Sequence, residues 1–243
     1  MPIPKVIHYC WFGGNPLPPL AKICINSWKK NCPDFEIIEW NEQNFDFNCN
    51  TYVKEAYEAG KFAFVSDYVR LHALYHHGGV YMDTDVEVKK PLDFFLKHAA
   101  FTGCENENYC VTGIMATEKN HPWAKDLLDQ YKYRHFILAN GKVDTTPNTE
   151  IITQKTTEKY GWIPKNKYQV LQNGLHIYPF TVFCAKSFKT GKIMVTDETY
   201  TVHHFSGSWL SKTDKVKAKI FNFLGPNITG KLVKYKNKLT IRS

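Results

Sequence analysis

Asp83-Thr84-Asp85 places two carboxylates one residue apart, directly after the apolar run Val80-Tyr81-Met82. Paired carboxylates at a strand tip suit a hard divalent cation that takes oxygen ligands. A cation held there is placed to grip a diphosphate and to neutralise it as a leaving group. A bare acidic triplet also arises in ordinary solvated turns, so its setting matters. Asp67 and Arg70 stand three apart in the segment that leads through Gly78-Gly79 into this strand. At that spacing a surface ion pair is the ordinary outcome. The alternative is a carboxylate and a guanidinium sharing the Asp83 pocket, where they would bind sugar hydroxyls and a phosphate. Trp11, just before Gly13-Gly14, is either a core tryptophan or a stacking surface for a nucleobase. In the run His203-His204-Phe205-Ser206-Gly207-Ser208-Trp209, a histidine could complete the metal shell begun by Asp85, and Trp209 could close over the diphosphate.

These residues need elements to carry them. Lys5–Phe12 reads as a buried strand, Pro18-Pro19 starts a helix through about Trp28, and Phe35–Trp40 reads as a second strand. A further helix is expected over Tyr52–Ala59. Phe62–His77 is the clearest helix, with Phe64, Tyr68, Leu71 and Tyr75 forming one apolar stripe. Gly78 is expected as its left-handed C-cap. Alternating strands and helices predict an α/β protein with a largely parallel sheet. Ligands in such sheets bind beyond the carboxyl ends of the strands, where Trp11 and Asp83 would emerge. Further on, Phe101–Glu105 and Val111–Ala116 are expected as strands, His121–Leu138 as one helix and 139–150 as a loop. Ile151–Tyr160 reads as helix, and 175–184 and 199–205 as short strands.

Composition narrows the function classes. The chain has 243 residues, and its hydrophobic fraction of 43% and aromatic fraction of 15% suit a packed α/β domain. No run approaches the ~18 apolar residues that span a bilayer. Met1-Pro2-Ile3-Pro4-Lys5 lacks the apolar segment of a secretory signal, so a cytoplasmic location is expected. The seven cysteines form no CxxC pair, and most are expected to be reduced core residues. Residues 1–209 carry 22 Lys+Arg and 22 Asp+Glu, whereas 210–243 carry nine basic residues and one acid, Asp214. The excess charge therefore belongs to a tail, which argues against nucleic acid as a partner of the body. Two domains are expected: a catalytic body over 1–209 and a basic tail over 210–243. In the tail, Lys212–Leu224 reads as a basic amphipathic helix suited to an anionic membrane surface on the cytoplasmic side.

Four ordered motifs are similar to glycosyltransferase family 32, the DXD sugar-binding group, and more distantly to the glucosyltransferase domain of large clostridial toxins. They are Ile3-Pro4-Lys5-Val6-Ile7-His8…Trp11-Phe12-Gly13-Gly14, Phe62-Ala63…Ser66-Asp67…Arg70, Gly78-Gly79-Val80-Tyr81-Met82-Asp83-Thr84-Asp85, and the terminal His-His…Ser-Trp. The resemblance covers residues 3–95 and 203–209 and is faint between them. It implies a GT-A-type fold with a Rossmann-like mixed sheet and flanking helices. It also implies a retaining transfer of a hexose from a nucleotide-sugar to a glycan or lipid-linked glycan acceptor, in cell-surface polysaccharide synthesis. Carried over, Trp11 would stack on the base and Cys10 would touch it through backbone. Phe62, Asp67 and Arg70 would hold the donor, and Tyr81 would line the diphosphate site. Asp83 would contact ribose and metal, Asp85 would ligate Mn2+ or Mg2+ directly, and Trp209 would bind the β-phosphate. His204 falls where related enzymes place a further metal ligand, and Asn148 is expected near the anomeric centre. A UDP-sugar is the expected donor, with GDP-mannose as the alternative.

Two rival classes are weighed against this. The run Val80–Val86 mimics the DxDx[T/V] strand of a haloacid-dehalogenase-type phosphatase. That class wants the motif in its first strand and a later acidic pair, and neither condition is met here. A purely basic binding module would explain only the tail.

Overall fold

The computed structural model describes residues 2–111, 113–188 and 190–207. Trp209 and the basic tail, both singled out above, lie outside the described residues. The elements run β1 (Val6–Cys10), α1 (Pro19–Asn31), β2 (Glu36–Trp40), α2 (Thr51–Glu58), α3 (Phe62–His77), β3 (Gly79–Met82) and β4 (Val86–Val88). They continue with β5 (Ala100–Gly103), β6 (Ile114–Thr117), α4 (Pro122–Asp129), α5 (Asn148–Tyr160), β7 (Gln169–Val170), β8 (Leu175–Tyr178), α6 (Phe180–Phe183) and β9 (Thr201–His203).

Seven strands form one mixed sheet in the order β2-β1-β3-β6-β5-β8-β7. β1 pairs parallel with β2 and β3, whereas β6 runs antiparallel to both β3 and β5. β1 and β3 are buried along almost their whole length and read as continuous apolar runs, as strands covered on both faces do. One core cluster lies on the side of α2, α3, α4 and α5 and includes Val65, Leu71, Trp123 and Ile152. The other lies under α1 and includes Ile7, Trp28, Val80 and Phe101.

α3 keeps the boundaries that its apolar spacing predicts. Val65, Tyr68, Val69, Leu71, Ala73 and Leu74 are all buried, because α2 and α4 pack on it as well as the sheet. Losing the Leu71 side chain from this interior would cost about 2–5 kcal/mol. Gly78 ends the helix at φ 70°, ψ −170°, an extended glycine conformation and not the expected left-handed cap. A Cβ at Gly78 would also lie only 2.7 Å from the Lys119 amide nitrogen.

A second, two-stranded antiparallel sheet joins β4 to β9, with Val86 opposite His203. α1 pins β4 from behind. Trp28 Nε1 donates to Val86 O at 2.7 Å, Asn31 donates to Val88 O, and Ser27 Oγ accepts from the Val88 amide. The chain leaving Asp85 is thereby held on one side by α1 and on the other by the returning segment 201–206.

Two expectations are corrected. The helix after His121 stops at Asp129 and does not reach Leu138. Glu55 in α2 captures the amides of Phe136 and Ile137 at 2.8 and 3.0 Å, so those groups do not serve a helix. The segment 175–184 is strand only to Tyr178; Pro179 breaks it, and α6 follows.

Candidate metal and donor site

β3 delivers Asp83 at its carboxyl end. The Asp83 backbone amide donates to Gly113 O at 2.8 Å, which ties the strand exit to the segment entering β6. Asp83 Oδ1 accepts from Tyr81 Oη at 3.1 Å and lies 3.2 Å from Arg70 Nη2. Its Oδ2 lies 4.0 Å from His203 Nε2. Two residues on, Asp85 Oδ2 accepts from the Ser206 amide at 2.6 Å, and Asp85 Oδ1 lies 3.3 Å from His203 Nε2. Phe205 sits at φ 53°, a left-handed conformation rare for a bulky residue. That turn brings the Ser206 amide round to Asp85.

Asp83, Asp85 and His203 each offer one ligand atom, and these atoms lie within 4.8 Å of one another. Two carboxylate oxygens and an imidazole nitrogen are a donor set that Mn2+ accepts well and Mg2+ accepts through the oxygens. Gly113 backs the triad. A Cβ there would sit 2.8 Å from Val86 Cγ2 and 3.1 Å from both Asp83 Oδ2 and His203 Cε1, so only a hydrogen fits. The residues present therefore fit a divalent cation.

His204 is a correction. The register of β9 against β4 turns His203 toward the aspartates, and His204 Nε2 pairs instead with Glu87 Oε2 at 2.9 Å. The His204 backbone still serves the site, since its amide donates to Asp85 O at 2.9 Å.

Electrostatics match this arrangement. Burial pushes the Asp85 carboxyl up, but His203 and the Ser206 amide outweigh it and hold the group well below the usual carboxylate range. Burial pushes His203 down, and the Asp85 carboxylate outweighs that and holds its ring well above the ordinary histidine value. Without a cation the pair is an imidazolium against a carboxylate; a cation would take the proton's place.

Asp67 and Arg70 come from the first half of α3. Arg70 Nη2 lies 3.0 Å from Asp67 Oδ1, and its guanidinium rests 4.7 Å from the centre of the Tyr81 ring. Its Nε donates to Ser66 O at 3.3 Å. Arg70 thus bridges Asp67 and Asp83, which rules out the simple surface ion pair. Burial pushes the Asp67 carboxyl up to about 6, with Arg70 opposing and Asn148 helping to hold the charge through a side-chain hydrogen bond. Asn148 opens α5, is buried, and its Oδ1 has no hydrogen-bond partner among the described residues. Residues 67 and 148, far apart in sequence, are thus brought together with a free acceptor beside them.

Trp11, Cys10 and Phe62 gather at the mouth of β1. Trp11 is half-buried, its amide bonded to Trp40 O and its Nε1 donating to Asn15 O at 2.5 Å. The Cys10 thiol is buried, and burial pushes it up to about 12, so only its backbone is available. A Cβ on Gly13, at φ 90°, would run into the Phe62 ring, so glycine allows Phe62 to close over this turn. Tyr81 is buried and supports Arg70 and Asp83 from below.

Sequence reading missed Gly113, Ser206 and Glu105. Burial raises the Glu105 carboxyl, which lies near enough to feel both His203 and Asp83. It follows β5 within the segment Gly103–Glu105, and an acid at the end of an apolar strand was the available signal.

Residues 18–102 match a family described as the glycosyltransferase sugar-binding region containing the DXD motif. The chain is 32% identical over 150 residues to inositol phosphoceramide mannosyltransferase 1 of Schizosaccharomyces pombe (strain 972 / ATCC 24843), covering 55% of this chain and 45% of that protein. It is 28% identical over 129 residues to inositol phosphoceramide mannosyltransferase 3 of the same organism, covering 50% and 35%. The chain thus spans less than half the length of these curated relatives. Among solved structures it is similar to the PaToxG glycosyltransferase, with a TM-score of 0.50 at 18% identity, covering 65% of this chain and 69% of that one. The fold is accordingly the GT-A type of mixed sheet with flanking helices.

Proposed function

We propose that this chain, whose residues 18–102 carry the DXD-containing sugar-binding region of a glycosyltransferase family, transfers a hexose from a nucleotide-sugar to a glycan or lipid-linked acceptor. The observation that carries the reading is the convergence of Asp83, Asp85 and His203 beside an Arg70 that is bound to both Asp67 and Asp83. Asp83, Asp85 and His203 would hold Mn2+ or Mg2+. When bound, such an ion supplies positive charge that stabilises a departing diphosphate.

The chain's own groups do the rest. Arg70 is fixed by two carboxylates and an aromatic face, so its charge is preorganised toward the leaving group. Asp67 and the unpartnered Asn148 Oδ1 accept hydrogen bonds from sugar hydroxyls and fix the donor's orientation. Trp11 stacks on the base, and Phe62 closes the turn beneath it. In the retaining, front-face displacement we favour, the bond from the anomeric carbon to the diphosphate oxygen breaks. The acceptor oxygen bonds that carbon on the same face, and its proton passes to the leaving phosphate oxygen.

Within nucleotide-sugars, the mannosyltransferase names of the relatives favour a mannosyl donor such as GDP-mannose over the UDP-hexose expected from the strand-one tryptophan. A panel of UDP- and GDP-sugars, assayed for nucleotide release with and without Mn2+, tests the reading. Mn2+-dependent release from one donor is the expected result. Phosphomonoester hydrolysis with no nucleotide release would overturn it in favour of a phosphatase.

A further inference from the structure

β1 and β2 leave the sheet side by side, and their pairing continues past the strand ends. Cys10 stands opposite Trp40, and the Trp11 amide donates to Trp40 O at 2.9 Å. One step on, the Gly13 amide donates to Glu42 Oε1 at 2.6 Å. Trp11 Nε1 donates to Asn15 O at 2.5 Å, which ties the indole to the same 11–15 turn that binds the Glu42 carboxylate. A half-buried indole and a carboxylate therefore border one mouth.

Glu42 is also fixed by its own turn. The Asn41 amide donates to Asn44 Oδ1 at 2.9 Å, Asn44 Nδ2 donates to Glu39 O at 2.7 Å, and Asn41 Oδ1 accepts from the Gln43 amide at 2.9 Å. Tyr57, stacked on Phe47 with ring centres 4.0 Å apart, places its hydroxyl 3.5 Å from Glu42 Oε1. Both donors meet Oε1. Among the described residues Oε2 meets no hydrogen-bond donor and no cation, and the residue is exposed. Tying down the Gly13 amide needs only a neutral acceptor, which a glutamine would supply as well. The charge and the second oxygen are surplus to that task.

The chemistry of this acceptor separates nucleobases. An ionised carboxylate only accepts, and it takes two parallel N–H groups best. Guanine offers that pair, N1–H and the 2-amino group, on one edge. Oε1 keeps a second lone pair beside its bond to Gly13, so both oxygens can accept. Uracil offers a single N3–H between two carbonyl oxygens, and a carboxylate facing that edge is repelled by both.

We infer that Glu42 reads the base of the nucleotide-sugar, accepting from N1–H and the 2-amino group of a guanine stacked on Trp11 and so selecting guanine over uracil. The inference rests on the nucleotide-sugar donor proposed above and names the group that chooses between its two candidate bases.

The test is calorimetric titration of the full 243-residue chain, in Mn2+, with GDP, UDP and inosine diphosphate, which is GDP without the 2-amino group. The unaltered chain should bind GDP at least about tenfold more tightly than either of the others, through one charge-assisted hydrogen bond or more. Glu42→Gln keeps an acceptor for the Gly13 amide and removes the charge. It should bind GDP at least about tenfold more weakly, bind UDP at least as tightly as the unaltered chain, and no longer separate GDP from inosine diphosphate. A Glu42 that merely ties the turn would move all three nucleotides together. The inference is overturned if the unaltered chain binds UDP or inosine diphosphate as tightly as GDP, or binds none of them. It is equally overturned if Glu42→Gln weakens all three alike or leaves all three unchanged. Mn2+-dependent release of UDP from a UDP-sugar, undiminished in Glu42→Gln, would remove the base reading while the transfer reaction stands. GDP selectivity that is lost in Glu42→Gln, with no nucleotide-sugar turned over, would keep the base reading and remove the transfer reaction.

Discussion

The two halves of α3 bury ionisable groups in opposite ways. In the first half, Asp67 and Arg70 are largely but not fully buried as charges and compensated by one another, by Asp83 and by Asn148. In the second half, His72 and His8 of β1 lie inside against Trp40, the exposed His77 ring packs on Trp40 and the exposed His76 ring on His72, and among the described residues no opposite charge meets His8 or His72. There His8 Nδ1 accepts from Trp40 Nε1 at 3.2 Å, and its Nε2 donates to Gly78 O at 2.8 Å, which fixes a neutral ring. Burial lowers both His8 and His72 to about 4, with neighbouring histidines adding to the effect. A compensated cluster can keep its charges inside the fold, whereas an uncompensated buried ring is held neutral. On the function proposed above, one half of the helix would serve the reaction and the other the fold.

The largest expected effect lies at the metal end. Asp85→Ala should lower nucleotide release by roughly a thousandfold or more, with little loss of melting temperature. His203→Ala should follow it in Mn2+ dependence, while His204→Ala stays within a few-fold of the unaltered chain. Equal losses for the two histidines would break the distinction between them.

Arg70→Lys comes next. Lysine keeps the charge but loses the planar fork that spans Asp67 and Asp83, so turnover should fall about a hundredfold. Steady-state assays that find no loss would mean that charge alone suffices at this position.

The histidine half should respond to pH and not to donor. An unfolded chain protonates His8 and His72 near the ordinary value of 6.5, whereas the folded chain does so only near 4. The unfolded state thus binds more protons between these values. The stability these neutral rings contribute is complete above about pH 6.5 and is lost as pH falls toward 4. The smallest effect is expected of His72→Leu, which removes a buried Nδ1 that has no partner among the described residues. It should stabilise the fold at pH 5 by about 1 kcal/mol, and flatten the pH dependence while leaving turnover at neutral pH unchanged. Thermal melts across pH check both statements.

The same contrast shows what sequence carries and what it does not. α3, its glycine exit and the Asp83 strand could be read from spacing, because apolar periodicity and turn chemistry are local. That Asp67 meets Asn148, or that Glu55 takes the amides of Phe136 and Ile137 beyond α4, depends on contacts about 80 residues apart and leaves no local trace. The choice between His203 and His204 turns on one residue of register against β4, which reverses every side chain on the strand. Gly113 gave no signal, since its role is the space that a Cβ would take from Asp83 and His203.

The most direct test is calorimetric titration of UDP and GDP into the protein, with and without Mn2+, for the unaltered chain and for Asp85→Ala. The account predicts that Mn2+ tightens binding of one nucleotide at least about tenfold in the unaltered chain and not in the variant. Binding that ignores Mn2+, or an Mn2+ response that survives Asp85→Ala, would contradict it.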